Sequence, residues 1–225
     1  MLSKIKDHTC NIRIGNARIE PTTTVRNLGV VFDQQLTFKN HISYIAQSVL
    51  FNLRNLSFIR RYLSKSPAEL LIHALISSRL DFSNSLLCNL PQKDIIKLQR
   101  FQNSAARLLT FTKKSEHITP VLRSLHWLPV DKRLIFKILL LVHHILYSPA
   151  PAYLQDSISI YKPTRHLRSQ SNQSLHVPRV RHTWGDRAFS TSGPKLWNNL
   201  PIKLRQMSST ESFKSSLKTH LFNMT

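Results

Sequence analysis

From Leu134 to Tyr147 the chain reads LIFKILLLVHHILY, apolar except at Lys137, His143 and His144. A helix apolar on nearly all sides has to be surrounded by other elements. At this length, and so interrupted, it is too short to span a bilayer. It therefore predicts the hub of an all-α core. The residues before it, HITPVLRSLHWLP, predict a short helix started at Thr119-Pro120, a Leu-His-Trp-Leu-Pro corner, and Pro129-Val130-Asp131 launching the long helix. Lys137 and His144, with Leu141 between them, mark a narrow stripe at the core's edge, where structure rather than chemistry is expected.

Other helices surround that hub. Ile42, Ile45, Val49, Leu53 and Leu56 recur every three or four residues. Ser66-Pro67-Ala68-Glu69 reads as a cap, with Ser at the N-cap and Glu at N3, opening a helix that runs towards Leu87. Leu90-Pro91 opens another, with Leu98, Phe101, Ala105 and Leu108 on its apolar face. Residues 152 to 158 predict a further short helix, and a capping box at Ser208-Ser-Thr-Glu211 predicts a last one carrying Phe213, Leu217 and Leu221. Residues 159 to 207 lack a helical period and predict an extended arm, pinned by Trp184, Phe189 and Trp197. The only β-structure is expected at 9 to 33: a hairpin turning at Gly15-Asn16, then a third strand over Val25–Phe32.

Charge narrows the partners. Lys plus Arg total 32 against 11 Asp plus Glu, a net charge of +21 over 225 residues. A compact fold so charged calls for a polyanion, and nucleic acid leads over an anionic membrane. From Tyr161 to Thr225 only Asp186 and Glu211 are acidic, against eleven Lys and Arg. The basic positions expected to meet RNA or DNA phosphates are Arg60, Arg61, Arg100, Arg107, Lys113, Lys114, Arg165, Arg168, Arg179, Arg181 and Arg187. Trp184 and Phe189 are candidates for stacking on unpaired bases, with packing onto the helices the favoured role. Neither a membrane nor a small-molecule substrate is expected as a partner. Cys10 and Cys88 lie far apart, outside any metal-type spacing, which suits a reducing compartment. No apolar signal segment opens the chain, so an intracellular location, nuclear or cytoplasmic, is expected.

Enzyme chemistry finds little purchase. Two-metal catalysis needs converging carboxylates, yet the closest acids in sequence, Glu69 and Asp81, are twelve positions apart. Asp33 reads as a strand-end cap. His143 and His144 are adjacent and point roughly 100° apart on a helix, unlike an i, i+4 metal pair. Four unclustered glycines leave no phosphate-cradling loop.

The ordered blocks VRNLGVVFD, LTFKNHI, SSRLDFSNSLL, LQRFQNSAARLL, HITPVLRSLHWLPVDKRLIFKILLL, PAYLQD and WGDRAFSTSGPKLWNNLP resemble the C-terminal part of non-long-terminal-repeat (LINE-type) retrotransposon reverse transcriptases. More narrowly, they resemble the jockey-like and chicken-repeat-like elements. The resemblance covers nearly the whole chain from Ile12. It implies a mainly α fold: a thumb-like helical bundle over 36–158, a remnant of the palm sheet at 1–35, a basic aromatic arm at 159–207 and a terminal helix at 208–225. It implies that fingers and palm, with the catalytic aspartates and their Mg2+, lie outside this chain. No position here matches those aspartates. The expectation is accordingly a truncated, non-catalytic fragment without a cofactor that binds RNA or DNA backbone non-specifically. The alternative is an inert product of a 5′-truncated retroelement.

Overall fold

The computed structural model describes residues 12–161 and 173–224, with backbone alone at Ile12, 17–19, Thr183 and Trp184. The fold is mainly helical with a small antiparallel β-portion near the N-terminus. Two compact units divide within the first helix, one through Tyr44 and the other from Ile45.

In the first unit, β1 (Ile12–Ile14) pairs with β2 (Ala17–Ile19), and Ile14 opposite Ala17 leaves a two-residue turn at Gly15-Asn16. The expected single strand over Val25–Phe32 is instead a second hairpin, β3 (Thr24–Asn27) with β4 (Val30–Asp33). Leu28 and Gly29 both take positive φ, 46° and 85°. That is the backbone of a primed two-residue turn, whose twist matches the flanking strands. Leu28 stands at its tip, 88% exposed. Asp33 then closes β4: its carboxylate accepts the amides of Thr37 at 2.8 Å and Phe38 at 2.7 Å. Burial pushes this carboxyl's pKa up, but the hydrogen bonds from Thr37 and Phe38 outweigh it and hold it below the usual value. The chain then enters α1 (Lys39–Ile59), where His41 accepts the Val31 amide at 3.4 Å.

The second unit contains the hub. After α1 comes a 3-10 turn at Arg60–Tyr62, then α2 (Lys65–Ile72). This helix begins after Ser64, two residues ahead of the expected Ser66 cap. It does not run unbroken to Leu87. A π-helical turn (His73–Ser77) leads into α3 (Ser78–Asp81), and Ser83 at φ 50° breaks the helix before a 3-10 turn at Asn84–Leu87. Next come α4 (Gln92–Thr110), α5 (Ile118–Ser124) and α6 (Val130–Tyr147). Pro91 and Pro129 stand just before α4 and α6, where fixed φ and a missing N–H cost the helix nothing.

The segment 159–207 is not an extended arm throughout. After α6 comes α7 (Ala152–Gln155). Within the described part of 159–207 lie an isolated antiparallel bridge between Ile160 and Leu175, a non-helical run at 174–180, and three helices: α8 (Thr183–Arg187), α9 (Phe189–Asn198) and α10 (Ile202–Arg205). The buried side of α9 is Thr191, Ser192, Gly193, Pro194 and Trp197, mostly small residues that carry no apolar period. Smallness is what the site requires, because a Cβ on Gly193 would sit 3.0 Å from Val142 Cγ2 of α6. α11 (Thr210–Asn223) follows, capped by Ser209, whose hydroxyl accepts the Ser212 amide.

The core forms where α9, α10 and α11 enclose α6. Ile138, Leu139 and Val142 meet Trp197, Leu204, Phe213, Leu217 and Leu221. Each large side chain buried there contributes about 1.5–3 kcal/mol. His143 sits inside this core, 0% exposed, stacked on Phe213 at 4.2 Å, with Nε2 donating to the Met207 carbonyl at 2.8 Å. Its Nδ1 is buried without a partner among the described residues, and burial holds its pKa below the ordinary value. Trp197 Nε1 donates to the Gln173 carbonyl, and Asn198 makes two bonds to the Leu175 backbone at 2.8 Å each. These contacts fasten the non-helical run to α9. Among the described residues no helix is long and apolar enough to cross a membrane.

Candidate nucleic-acid interface

The end of α4 is built by one arginine. Phe111 ends the helix in the left-handed region, φ 56°, leaving its last carbonyls without intrahelical partners. Arg60, from the 3-10 turn, fills that gap. Its Nε donates to Leu108 O at 3.1 Å, Nη2 to Leu109 O at 2.6 Å and Nη1 to Leu63 O at 2.8 Å. Its guanidinium also lies 4.2 Å from the centre of the Phe111 ring. Only 6% exposed, Arg60 is a structural residue. Three of the guanidinium's five N–H donors are placed on carbonyls, so the group expected to meet phosphate is turned into the fold.

The same contact carries its neighbours Arg61 and Tyr62 to the end of α4. Arg61 is exposed and lies over the Tyr62 ring at 4.7 Å. Tyr62 is 73% exposed and Phe111 66%. Beyond Phe111, Lys113 and Lys114 are exposed on a turn that Arg107 stabilises from α4, donating to the Glu116 carbonyl at 3.1 Å. Glu116 Oε1 in turn accepts the Lys113 amide at 3.1 Å. Arg107 is thus half-buried and engaged with backbone, leaving Arg61, Lys113 and Lys114 as the outward cations. Exposed rings, each with one arginine over it, among cations make a surface suited to single strands, where bases stack and ammonium or guanidinium groups meet phosphates. Arg100 is exposed on α4 seven residues before Arg107, about 10 Å along the axis.

A second basic group surrounds α8. Arg179 and Arg181 are exposed and flank Val180, which is packed close against Gly185. Arg187 ends α8, and its charge acts on the Cys88 thiol, which burial nevertheless pushes up. Asp186 beside it is occupied by Lys195 at 2.6 Å. Arg165 and Arg168 lie outside the described residues, as does the side chain of Trp184. Phe189 is partly buried against the core, packing rather than standing clear for a base.

Sequence reasoning missed the exposed rings. The signal was present in Phe58-Ile-Arg-Arg-Tyr62, where two arginines stand between aromatic residues at the end of an apolar helix. No group of His, Cys, Asp or Glu able to hold a metal occurs among the described residues. No protein-family model, curated protein or solved structure matches the chain.

Proposed function

We propose that this chain is the thumb and C-terminal extension of a LINE-type reverse transcriptase, and that its work is to hold RNA or DNA through the phosphate backbone. One observation carries the reading: Arg60's bonds to the end of α4 set its exposed neighbours Arg61 and Tyr62 beside exposed Phe111, with Lys113 and Lys114 exposed two and three residues further on. The net charge of +21 and the blocks resembling that family point the same way. Contacts of this kind are electrostatic and sequence-independent. The reading assigns no catalysis to these residues, because none matches the family's catalytic aspartates.

Salt titration of binding to a homopolymer tests it. Each phosphate contact contributes a log–log slope of about −0.9 on duplex or −0.7 on single strands. Changing Lys113 and Lys114 together to Gln is expected to flatten the slope by about two contacts without changing the melting temperature. A flat dependence in the unaltered protein overturns the proposal.

A second reading, a product with no function of its own, draws on the N-terminal unit. Two-stranded sheets are marginal in water, and Val25 and Leu28 are exposed there. Comparing the protein with a form lacking residues 1–35 separates the readings. A shorter form that is soluble and unfolds cooperatively opposes the second; failure of both forms to fold favours it.

A further inference from the structure

A cleft of about 480 Å³ opens beside α6 in the second unit and reaches, at Lys137, one end of the stripe where only structure was expected. Its size is ordinary for a small-molecule site, roughly 300–1,000 Å³. Trp127, Leu128 and Phe136 give it an apolar lining, and Lys137 of α6 meets Lys214 and Lys218 of α11 across it. The π-helical turn brings His73 to the same cleft, its ring edge-on to Trp127 at 5.3 Å. Such turns recur at functional sites because they displace a side chain from the regular helical row.

The three lysines are exposed, and none has a carboxylate within ion-pair distance among the described residues. Two carboxylates share the cleft, Glu211 of α11 and Asp81, the latter already held by Arg133 at 2.9 Å and by Asn84 at 3.2 Å. Lys214 and Lys218 stand four apart on one face of α11, a like-charged pairing that disfavours the helix unless an anion offsets it. Three ammonium groups over an apolar, partly aromatic floor suit a ligand with a flat ring at one end and a compact anion at the other. A nucleoside phosphate has that form.

We propose that this cleft binds a nucleoside phosphate, with the phosphate on Lys137, Lys214 and Lys218 and the base against Trp127 and Phe136. The nucleotide comes either free from solution or as one unit of a single strand. The proposal is independent of the α4 surface, which shares none of these residues.

Calorimetric titration of the full chain with AMP, UMP, adenosine and inorganic phosphate tests it. At least one nucleotide is expected to bind ten times or more tightly than phosphate or adenosine. Lys137→Gln, Lys214→Gln and Lys218→Gln are each expected to weaken that binding about tenfold, about 1.4 kcal/mol, while Lys93→Gln, at an exposed position outside the cleft and the α4 surface, leaves it unchanged. All these side chains are exposed, and circular dichroism verifies that the variants fold. Displacement of the nucleotide by a short single-stranded oligonucleotide identifies a strand as the source, and persistence identifies free nucleotide. Binding by neither AMP nor UMP overturns the proposal. So does equal affinity for inorganic phosphate, or affinity indifferent to the three lysines. Loss of the salt-dependent binding in Lys113 and Lys114 variants bears only on the α4 surface.

Discussion

Adjacent arginines in this chain are expected to do opposite things. Replacing Arg60 with Met keeps most of the aliphatic stem but removes three donors, leaving the carbonyls of Leu63, Leu108 and Leu109 without them. A hydrogen bond to a charged group is worth about 1.5–3 kcal/mol, and a buried polar group left unsatisfied adds its own penalty. Three bonds to one guanidinium do not add independently, so the expected cost is about 3 kcal/mol. For a chain of this size each kcal/mol moves the melting temperature by about 2–4 °C, giving a fall of roughly 6–12 °C. Arg61→Met, at an exposed position, is expected to leave the melting temperature within a degree or two while lowering affinity for RNA or DNA. Thermal unfolding followed by circular dichroism reads the first effect and a binding titration the second. An Arg60→Met protein as stable as the original, or an Arg61→Met protein that melts just as early, refutes the division of labour.

Two further expectations concern protons. The pKa of His143 is lowered in the fold, so below its ordinary value of 6.5 the unfolded chain takes up a proton that the folded one refuses. Stability due to this group is therefore complete above pH 6.5 and falls as pH drops from there towards the folded value. A His143→Gln variant is expected to show a flatter melting-temperature profile over that interval; identical profiles count against it. Asp33→Ala should cost about 1–2 kcal/mol, as for loss of a helix cap, and speed hydrogen exchange at the Phe38 amide. Since the Asp33 pKa is depressed, its contribution is present above pH 3.8 and disappears as pH falls through the folded value. Unchanged exchange at Phe38 would contradict the capping role.

Large apolar residues at regular spacing made much of this fold legible. Leu134–Tyr147 announced a surrounded helix, and α6 is that helix. The signals that went unread are of two physical kinds. In α9 the buried face is made of Thr191, Ser192 and Gly193, so contact comes from close backbone approach and no hydrophobic period marks it. At Leu28-Gly29 an apolar residue occupies a left-handed turn position, and a run of apolar letters hid a hairpin. The site divides similarly. Charge in the sequence identified Arg61, Lys113 and Lys114 as candidates, but only tertiary contact reveals that Arg60 faces inward and that Lys137 faces Lys214 across a cleft.

Much of the cover of α6 comes late in the chain. Trp197, Leu204, Phe213, Leu217 and Leu221 all follow its end at Tyr147 by fifty residues or more. At about 5–20 residues per second, a ribosome takes roughly 4–15 s to pass from Tyr147 to Leu221. For those seconds the most apolar helix of the protein waits on the nascent chain with α4 and the 3-10 turn at Asn84–Leu87 against it but without the cover of α9 and α11. Synthesis is thus the period in which this protein is most exposed to aggregation and most dependent on chaperones, and slowing translation after Tyr147 prolongs it.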